Sequence, residues 1–145
     1  MDSEKILAQL RQFLLIISAG VFVMTVSELF FLEHWNLTIQ FLPFALCTLG
    51  LVASALAYFR PSRGTIQFTQ WSMIIIAVCS AIGFYEHMAG NFTFWLDIQP
   101  SATTWELIKA TFKGGIPILA PGILTLGGVI GAAATYKHPS LEIKQ

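Results

Sequence analysis

The chain has 145 residues, of which 55% are hydrophobic and only 11% are charged, and its formal net charge is zero. A soluble domain of this size needs more charge on its surface, so the composition excludes that class and predicts an integral membrane protein. Without a basic surface to hold phosphates, we expect no binding to nucleic acid. The length fits a single membrane domain over residues 1–145.

Four apolar runs predict a bundle of four transmembrane helices. The first covers residues 13–32, which at about 1.5 Å per residue is enough to cross the roughly 30 Å of bilayer hydrocarbon. The later runs cover residues 39–59, 68–85 and 116–136. The third run ends at the pair Glu86-His87, and we expect its helix to end there as well.

The connection between the third and fourth runs, residues 91–115, predicts a short helix of its own. Thr103 and Glu106 have the Thr-x-x-Glu spacing of a capping box, which satisfies free N–H groups at a helix start. Three large apolar side chains then share one helix face: Trp105, Ile108 and Phe112. This pattern predicts a helix that lies in the membrane interface, although a helix packed on the bundle fits it equally well.

Two internal similarities indicate a duplicated hairpin. Ser27, Phe31, Glu33 and His34 recur at a constant offset of 53 residues, and seven residues of 43–62 recur at an offset of 78 in 121–140. The recurring residues of the second set are Pro43, Leu46, Gly50, Ala55, Tyr58, Pro61 and Ser62.

We interpret the chain as two tandem hairpins. Repeat 1 covers about residues 13–62, and repeat 2 covers about residues 68–140 with the insertion 91–115. Tandem hairpins have the same orientation, so the predicted pseudo-twofold axis runs along the membrane normal.

The basic residues predict the orientation, because cytoplasmic ends of membrane helices collect Lys and Arg. Two lysines, Lys109 and Lys113, belong to one side of the predicted bundle. The remaining basic residues belong to the other side: Lys5, Arg11, Arg60, Arg63, Lys137 and Lys144. We therefore expect both termini in the cytoplasm, most simply in a bacterial inner (plasma) membrane, and the Glu-His pairs on the outer side.

The repeated pairs Glu33-His34 and Glu86-His87 are the candidate site. Two carboxylates and two imidazoles at one bundle mouth are ligands suited to a transition metal. Alternatively, His34 and His87 are the two axial ligands of a non-covalent haem b. A plainer interpretation is that the pairs only end their helices at the headgroup level, with the imidazoles reaching water.

Glu28 and two glycines predict helix packing. Glu28 lies within the first apolar run, where a charged side chain is costly and must be neutralised, paired or covered. We expect it to meet a partner subunit or a hydrogen-bond acceptor in its own bundle. Gly127 and Gly131 form a Gly-x-x-x-Gly pair that favours close helix contact, or else leaves room for a flat ligand.

The sequence contains no Gly-x-Ser-x-Gly nucleophile motif, no His-Glu-x-x-His zinc-protease motif and no glycine-rich phosphate-binding loop. No enzyme class is therefore indicated. Two functions stay open. One is a metal- or haem-binding protein of a membrane redox or metal-handling system. The other is a non-catalytic accessory subunit that packs with other membrane subunits, or with its own copies, in the lipid bilayer.

Overall fold

The computed structural model describes residues 2–116 and 118–142, which form helices and turns without a strand. These residues form α1 Ser3–Phe31, α2 Phe41–Phe59, α3 Arg63–Ile98, α4 Thr104–Phe112 and α5 Leu119–Thr135. Single turns of 3₁₀-helix precede α2 and follow α5. The predicted all-helical class is confirmed. Lys144, which was used to predict the orientation, lies outside the described residues.

Three helical stretches are long and apolar enough to cross a membrane: Ser3–Phe31, Thr38–Phe59 and Arg63–Ile98. The fourth apolar stretch, Ala120–Thr135, is shorter. The prediction of a helix over residues 116–136 was therefore too long. The chain bends at residues 113–116 before α5 begins, and a turn through Lys137 ends the helix.

Four helices surround the core in the order α1, α2, α3, α5. α1 packs against α2 and α5, and α3 packs against the same two helices, so α1 and α3 lie diagonally opposite each other. α2 and α5 form the other diagonal and barely touch. This is the neighbour order that two hairpins in tandem would give.

Glycines on α5 set its distance from both neighbours. A Cβ atom on Gly128 would lie 2.7 Å from the carbonyl oxygen of Met73 on α3, which is closer than real Cβ contacts. A Cβ on Gly131 would meet the Met73 side chain, and one on Gly127 would meet Val21 of α1. The Gly-x-x-x-Gly pair thus contacts two helices of its own bundle, and their side chains fill the space that a flat ligand would need.

Buried hydroxyl groups join the helices inside the apolar core. The Ser18 hydroxyl on α1 donates to the carbonyl oxygen of Gly127 on α5 at 2.9 Å. The Thr69 hydroxyl on α3 lies 2.8 Å from the carbonyl oxygen of Ala53 on α2. The Phe22 ring between them has no exposed surface. Such bonds between helices stabilise a membrane bundle because lipid offers the hydroxyl groups no alternative partner.

The expected end of the third helix at Glu86-His87 is wrong, because α3 continues to Ile98. Its 36 residues correspond to about 54 Å, well beyond the hydrocarbon thickness. No proline interrupts residues 86–98, and Gly90 alone is a weak helix breaker. The contact with α4 covers part of this extension, so the last turns of α3 gain packing that the sequence pattern did not show.

The predicted capping box of α4 is confirmed. The Thr103 hydroxyl accepts from the Glu106 N–H at 3.3 Å, and the Glu106 carboxylate accepts from the Thr103 N–H at 2.8 Å. The Thr103 N–H and the Thr103 hydroxyl both donate to the Glu106 carboxylate, which favours its ionised form and lowers the pKa of Glu106. α4 buries Leu107 but exposes most of Trp105. It is therefore a helix packed on α3 that also presents an apolar face outward.

Candidate functional site

His34 is held by the turn that ends α1. The Glu33 N–H donates to the carbonyl of Phe30 at 3.1 Å, and the His34 N–H donates to the carbonyl of Leu29 at 3.0 Å. With Glu33 in the left-handed region at φ 50°, this is a Schellman motif. The motif gives hydrogen-bond donors to carbonyl groups in the last turn of α1 and reverses the direction of the chain. His34 therefore lies at the end of the bundle.

Trp35 anchors the turn to both helices of the first hairpin. Its ring lies 5.3 Å from the Phe30 ring of α1 in an edge-on arrangement and 6.5 Å from the Phe44 ring of α2. Aromatic pairs at these separations favour a fixed geometry. The backbone that carries His34 is therefore fixed on both sides.

His87 lies on a face of α3 that the start of α5 covers. One turn before it, a Cβ on Gly83 would lie 3.5 Å from the Pro121 side chain, and three residues after it, a Cβ on Gly90 would lie 3.2 Å from Ile116. Residues three and four apart share a helix face, so His87 points into the same region. Its side chain is half-buried there.

The His87 imidazole is close enough to His34 to influence the charge of its ring. Burial, and then the neighbouring His87 imidazole, lower the pKa of His34. Both effects disfavour the protonated imidazole, so the neutral form of His34 predominates at pH 7. A neutral imidazole is the form that ligates a metal.

The carboxylates of the pairs do not join the imidazoles. Glu33 and Glu86 are exposed while His34 and His87 are half-buried. For Glu86 and His87 this is expected, because adjacent side chains within α3 diverge by about 100°. Among residues 2–116 and 118–142, no three His, Cys, Asp or Glu side chains are grouped to hold a metal ion. The predicted four-residue metal cluster is thus reduced to its two imidazoles.

Asn91 organises the same end of the bundle and was missed in the sequence. Its side chain is 1% exposed. The amide nitrogen donates to the carbonyls of Thr111 at 3.2 Å and Ile116 at 2.9 Å, and the amide oxygen accepts from the Ile116 N–H at 3.1 Å. Gly114 leaves the space that this side chain fills. Asn91 lies about one helical turn after His87 in α3. A prediction of helix over residues 86–98 would therefore have placed Asn91 at the same end of the bundle.

Glu28 lies on the outside of the bundle. Its side chain is exposed, and no hydrogen bond or ion pair is described for it. On the same helix, Met24 is 72% and Phe31 is 82% exposed. The carboxylate therefore interrupts an apolar face of α1 that the chain itself leaves uncovered.

The opposite end of the bundle holds the third histidine. Arg11 of α1 donates to the carbonyl of Lys137 at 2.8 Å, which ties α1 to the turn after α5. His138 accepts from the Ser140 N–H at 3.2 Å through Nδ1. Burial, and then the Arg11 guanidinium, lower the pKa of His138.

Comparisons with protein-family models, with curated proteins and with solved structures give no match to this chain.

Proposed function

We propose that His34 and His87 bind the iron of a non-covalent haem at the outer mouth of a membrane bundle, as part of a membrane redox system. The placement of the two half-buried imidazoles at one end of the bundle carries this proposal, and the His87 imidazole contributes to the lowered pKa of His34. His34 follows α1 and His87 lies on α3, the diagonally opposite helix, as expected for two ligands on either side of one cofactor.

The ligand count favours haem over a bare metal ion. A protein-bound transition metal generally takes most of its four to six ligands from side chains, and residues 2–116 and 118–142 bring no three His, Cys, Asp or Glu side chains together. A haem iron receives four ligands from the porphyrin and needs two axial ligands from the protein. A metal ion with the same two imidazoles and water is the nearest alternative.

A buried donor on α3 supports a ligand at this end. The Trp95 indole N–H is buried and has no hydrogen-bond partner within the part of the chain that the structure describes. It lies eight residues after His87 in α3, about 12 Å further along the helix axis and about 80° around it. A haem propionate in this region would give the N–H an acceptor, and bound haem would supply one-electron chemistry.

The proposal places the bundle across a bilayer. The two Glu-His pairs and α4 then lie on the outer side, both termini lie in the cytoplasm, and α4 rests its Trp105 face in the membrane interface. The two hairpins are related by pseudo-twofold symmetry. The order of neighbouring helices and the exposed apolar face of α4 support this arrangement.

Haem titration of the purified protein tests the proposal. Protein in mild detergent is mixed with haemin, and the Soret and reduced α bands are recorded together with metal content. We expect one low-spin haem per chain. His34→Gln and His87→Gln should each convert it to a high-spin form or release it, whereas His138→Gln, at the other end, should leave the spectrum unchanged.

Two results would overturn haem ligation. One is a wild-type protein that gives no protein-bound Soret band after titration. The other is a low-spin spectrum that survives replacement of both His34 and His87. Stoichiometric metal that disappears in the same variants, without a Soret band, would instead assign the imidazoles to a metal ion.

A second candidate function is that of an accessory subunit, and the uncovered Glu28 favours it. A carboxylate on a lipid-facing surface is costly, so a partner helix with a donor at this position would stabilise the assembly. Cross-linking and co-purification from native membranes should recover partner subunits that Glu28→Leu loses and Glu86→Leu retains. Equal recovery with both variants would contradict this role.

A further inference from the structure

An open groove lies between α1 and α2, towards the end of the bundle that carries Arg11. Its volume is about 420 Å³, within the roughly 300–1,000 Å³ of small-molecule sites. Apolar side chains line most of it, including Leu15 and Leu51, and Tyr58 lies at one end. The shape and lining suit a long apolar chain.

Ser54 is the polar exception in this groove. It is 2% exposed, and its hydroxyl group has no hydrogen-bond partner among the described residues. A buried hydroxyl without a partner is costly. A ligand with an ester or carbonyl oxygen in the groove would satisfy it.

A second, more polar cavity adjoins the groove. It has a volume of about 230 Å³ and shares Leu15 and Tyr58 with the groove, so the two form one elongated site. Arg11, Gln12 and His138 line the second cavity. The site is therefore apolar along one part and polar at its end.

Arg11 has donors to spare in this cavity. One terminal nitrogen faces the carbonyls of Lys137 and Tyr136, while the other guanidinium N–H groups have no partner among the described residues. A guanidinium presents five N–H donors in a planar fork that matches a phosphate group. The polar end of the site thus favours a phosphate.

The surrounding charge also favours an anion. Five basic residues lie at this end of the bundle against three acidic ones, Asp2, Glu4 and Glu142. The basic residues are Lys5, Arg11, Arg60, Arg63 and Lys137. Basic residues at a membrane surface attract anionic headgroups.

We infer that this composite site binds one anionic phospholipid, with the phosphate at Arg11, an ester oxygen at Ser54 and an acyl chain in the groove between α1 and α2. The charge complementarity at Arg11 distinguishes this occupant from a neutral lipid. The same charge complementarity favours the phospholipid over an apolar helix of a partner subunit. The site is far from His34 and His87, so it stands independently of the proposed haem.

Native mass spectrometry of the full chain in detergent tests this inference. The protein is titrated with phosphatidylglycerol or with phosphatidylcholine of the same acyl chains, and the fraction with one lipid bound is measured. We expect phosphatidylglycerol to bind at least fivefold more tightly than phosphatidylcholine, as about one cationic contact would give. Arg11→Gln should remove that preference.

Two further variants make the test specific. Ala55→Phe fills the groove from an exposed position, so the core stays intact, and it should weaken both lipids about fivefold or more. Arg63→Gln removes the same charge from an exposed position outside the cavities and should leave binding within twofold of wild type. Equal binding of the two lipids by the wild-type protein would overturn the site. Equal losses of phosphatidylglycerol binding in Arg11→Gln and Arg63→Gln would also overturn it. Unchanged lipid binding in Ala55→Phe would also overturn it.

Discussion

Both ends of the bundle fasten α5 through a side chain that bonds to backbone groups, but they do so in different environments. At the outer end, Asn91 is buried and makes three hydrogen bonds to the α4–α5 connection. At the opposite end, Arg11 is only partly buried and makes one short bond to the turn after α5. Water can replace an exposed bond but not a buried one. The neutral Asn91 should therefore contribute more to stability than the charged Arg11.

Asn91→Ala is the largest expected perturbation. It removes the Asn91 partner of the Ile116 N–H and carbonyl, and one of the two hydrogen bonds to the Thr111 carbonyl, beside a side chain that is itself 1% exposed. We therefore expect a loss of about 3 kcal/mol in the free energy of unfolding. Unfolding by SDS in mixed micelles measures this. Asn36→Ala is the matched control, since the exposed Asn36 amide makes one long bond of 3.3 Å to Glu33. A loss below about 1 kcal/mol in Asn91→Ala would contradict the importance of the buried clamp.

Arg11→Gln should cost less, about 1 kcal/mol, because water can solvate the freed carbonyl of Lys137. The same SDS titration applies, with Arg63→Gln as a control of equal charge change. The two ends are far apart, so the losses in the Asn91→Ala, Arg11→Gln double variant should add. If Arg11→Gln lowered the free energy of unfolding more than Asn91→Ala, Arg11 and not Asn91 would contribute more to stability.

The histidines at the two ends respond to pH through different neighbours. Both His34 and His138 have lowered pKa values in the folded state. The unfolded chain therefore binds more protons just below pH 6.5, so stability is fully present above that pH and falls as the solution becomes more acidic. Each histidine is partly exposed, which keeps the effect smaller than that of Arg11→Gln.

His87→Gln separates the two ends. Removing the neighbouring imidazole should raise the pKa of His34, measured from its ring proton in an NMR titration, and leave the pKa of His138 in place. Arg11→Gln should raise the pKa of His138 and leave the pKa of His34 in place. If His87→Gln left the His34 titration unchanged, the two imidazoles would not be neighbours, and the proposed haem site would lose its supporting observation.

Sequence patterns predicted the helices better than their contacts. Apolar runs and the Thr103–Glu106 capping box were sufficient to predict the helical class and α4. They were not sufficient for Asn91, whose partners lie 20 and 25 residues later and are backbone groups with no side-chain signature. The continuation of α3 to Ile98 depends on packing with α4, which periodicity within one segment does not show.

The candidate site was predicted in part for a geometric reason. Repetition of Glu-His suggested four ligands, yet the adjacent side chains of Glu86 and His87 within α3 diverge by about 100°. The structure accordingly buries the imidazoles further than the carboxylates. The repeat also hides a difference in backbone: Glu33 lies in a left-handed turn after α1, whereas its repeat partner Glu86 lies within α3.

That difference gives the smallest expected effect. Glu33→Gly removes the left-handed strain of a non-glycine residue at a helix C-terminus and should stabilise the protein by about 0.5 kcal/mol, since the greater chain entropy of glycine offsets part of the gain.

Lys137 is the equivalent residue at the other end, with φ 44° in the turn after α5. Lys137→Gly should gain less, because the Lys137 ammonium lies 5.6 Å from the Tyr136 ring and that contact is lost. Glu86→Gly is the opposing control and should destabilise α3 by roughly 1 kcal/mol, as glycine does in a helix interior. The same SDS titration measures the change in the free energy of unfolding for both variants. A gain in Glu33→Gly and a loss in Glu86→Gly would show that two positions related by the repeat have different backbone roles. Equal losses at both would place Glu33 in an ordinary helix and contradict the turn that positions His34.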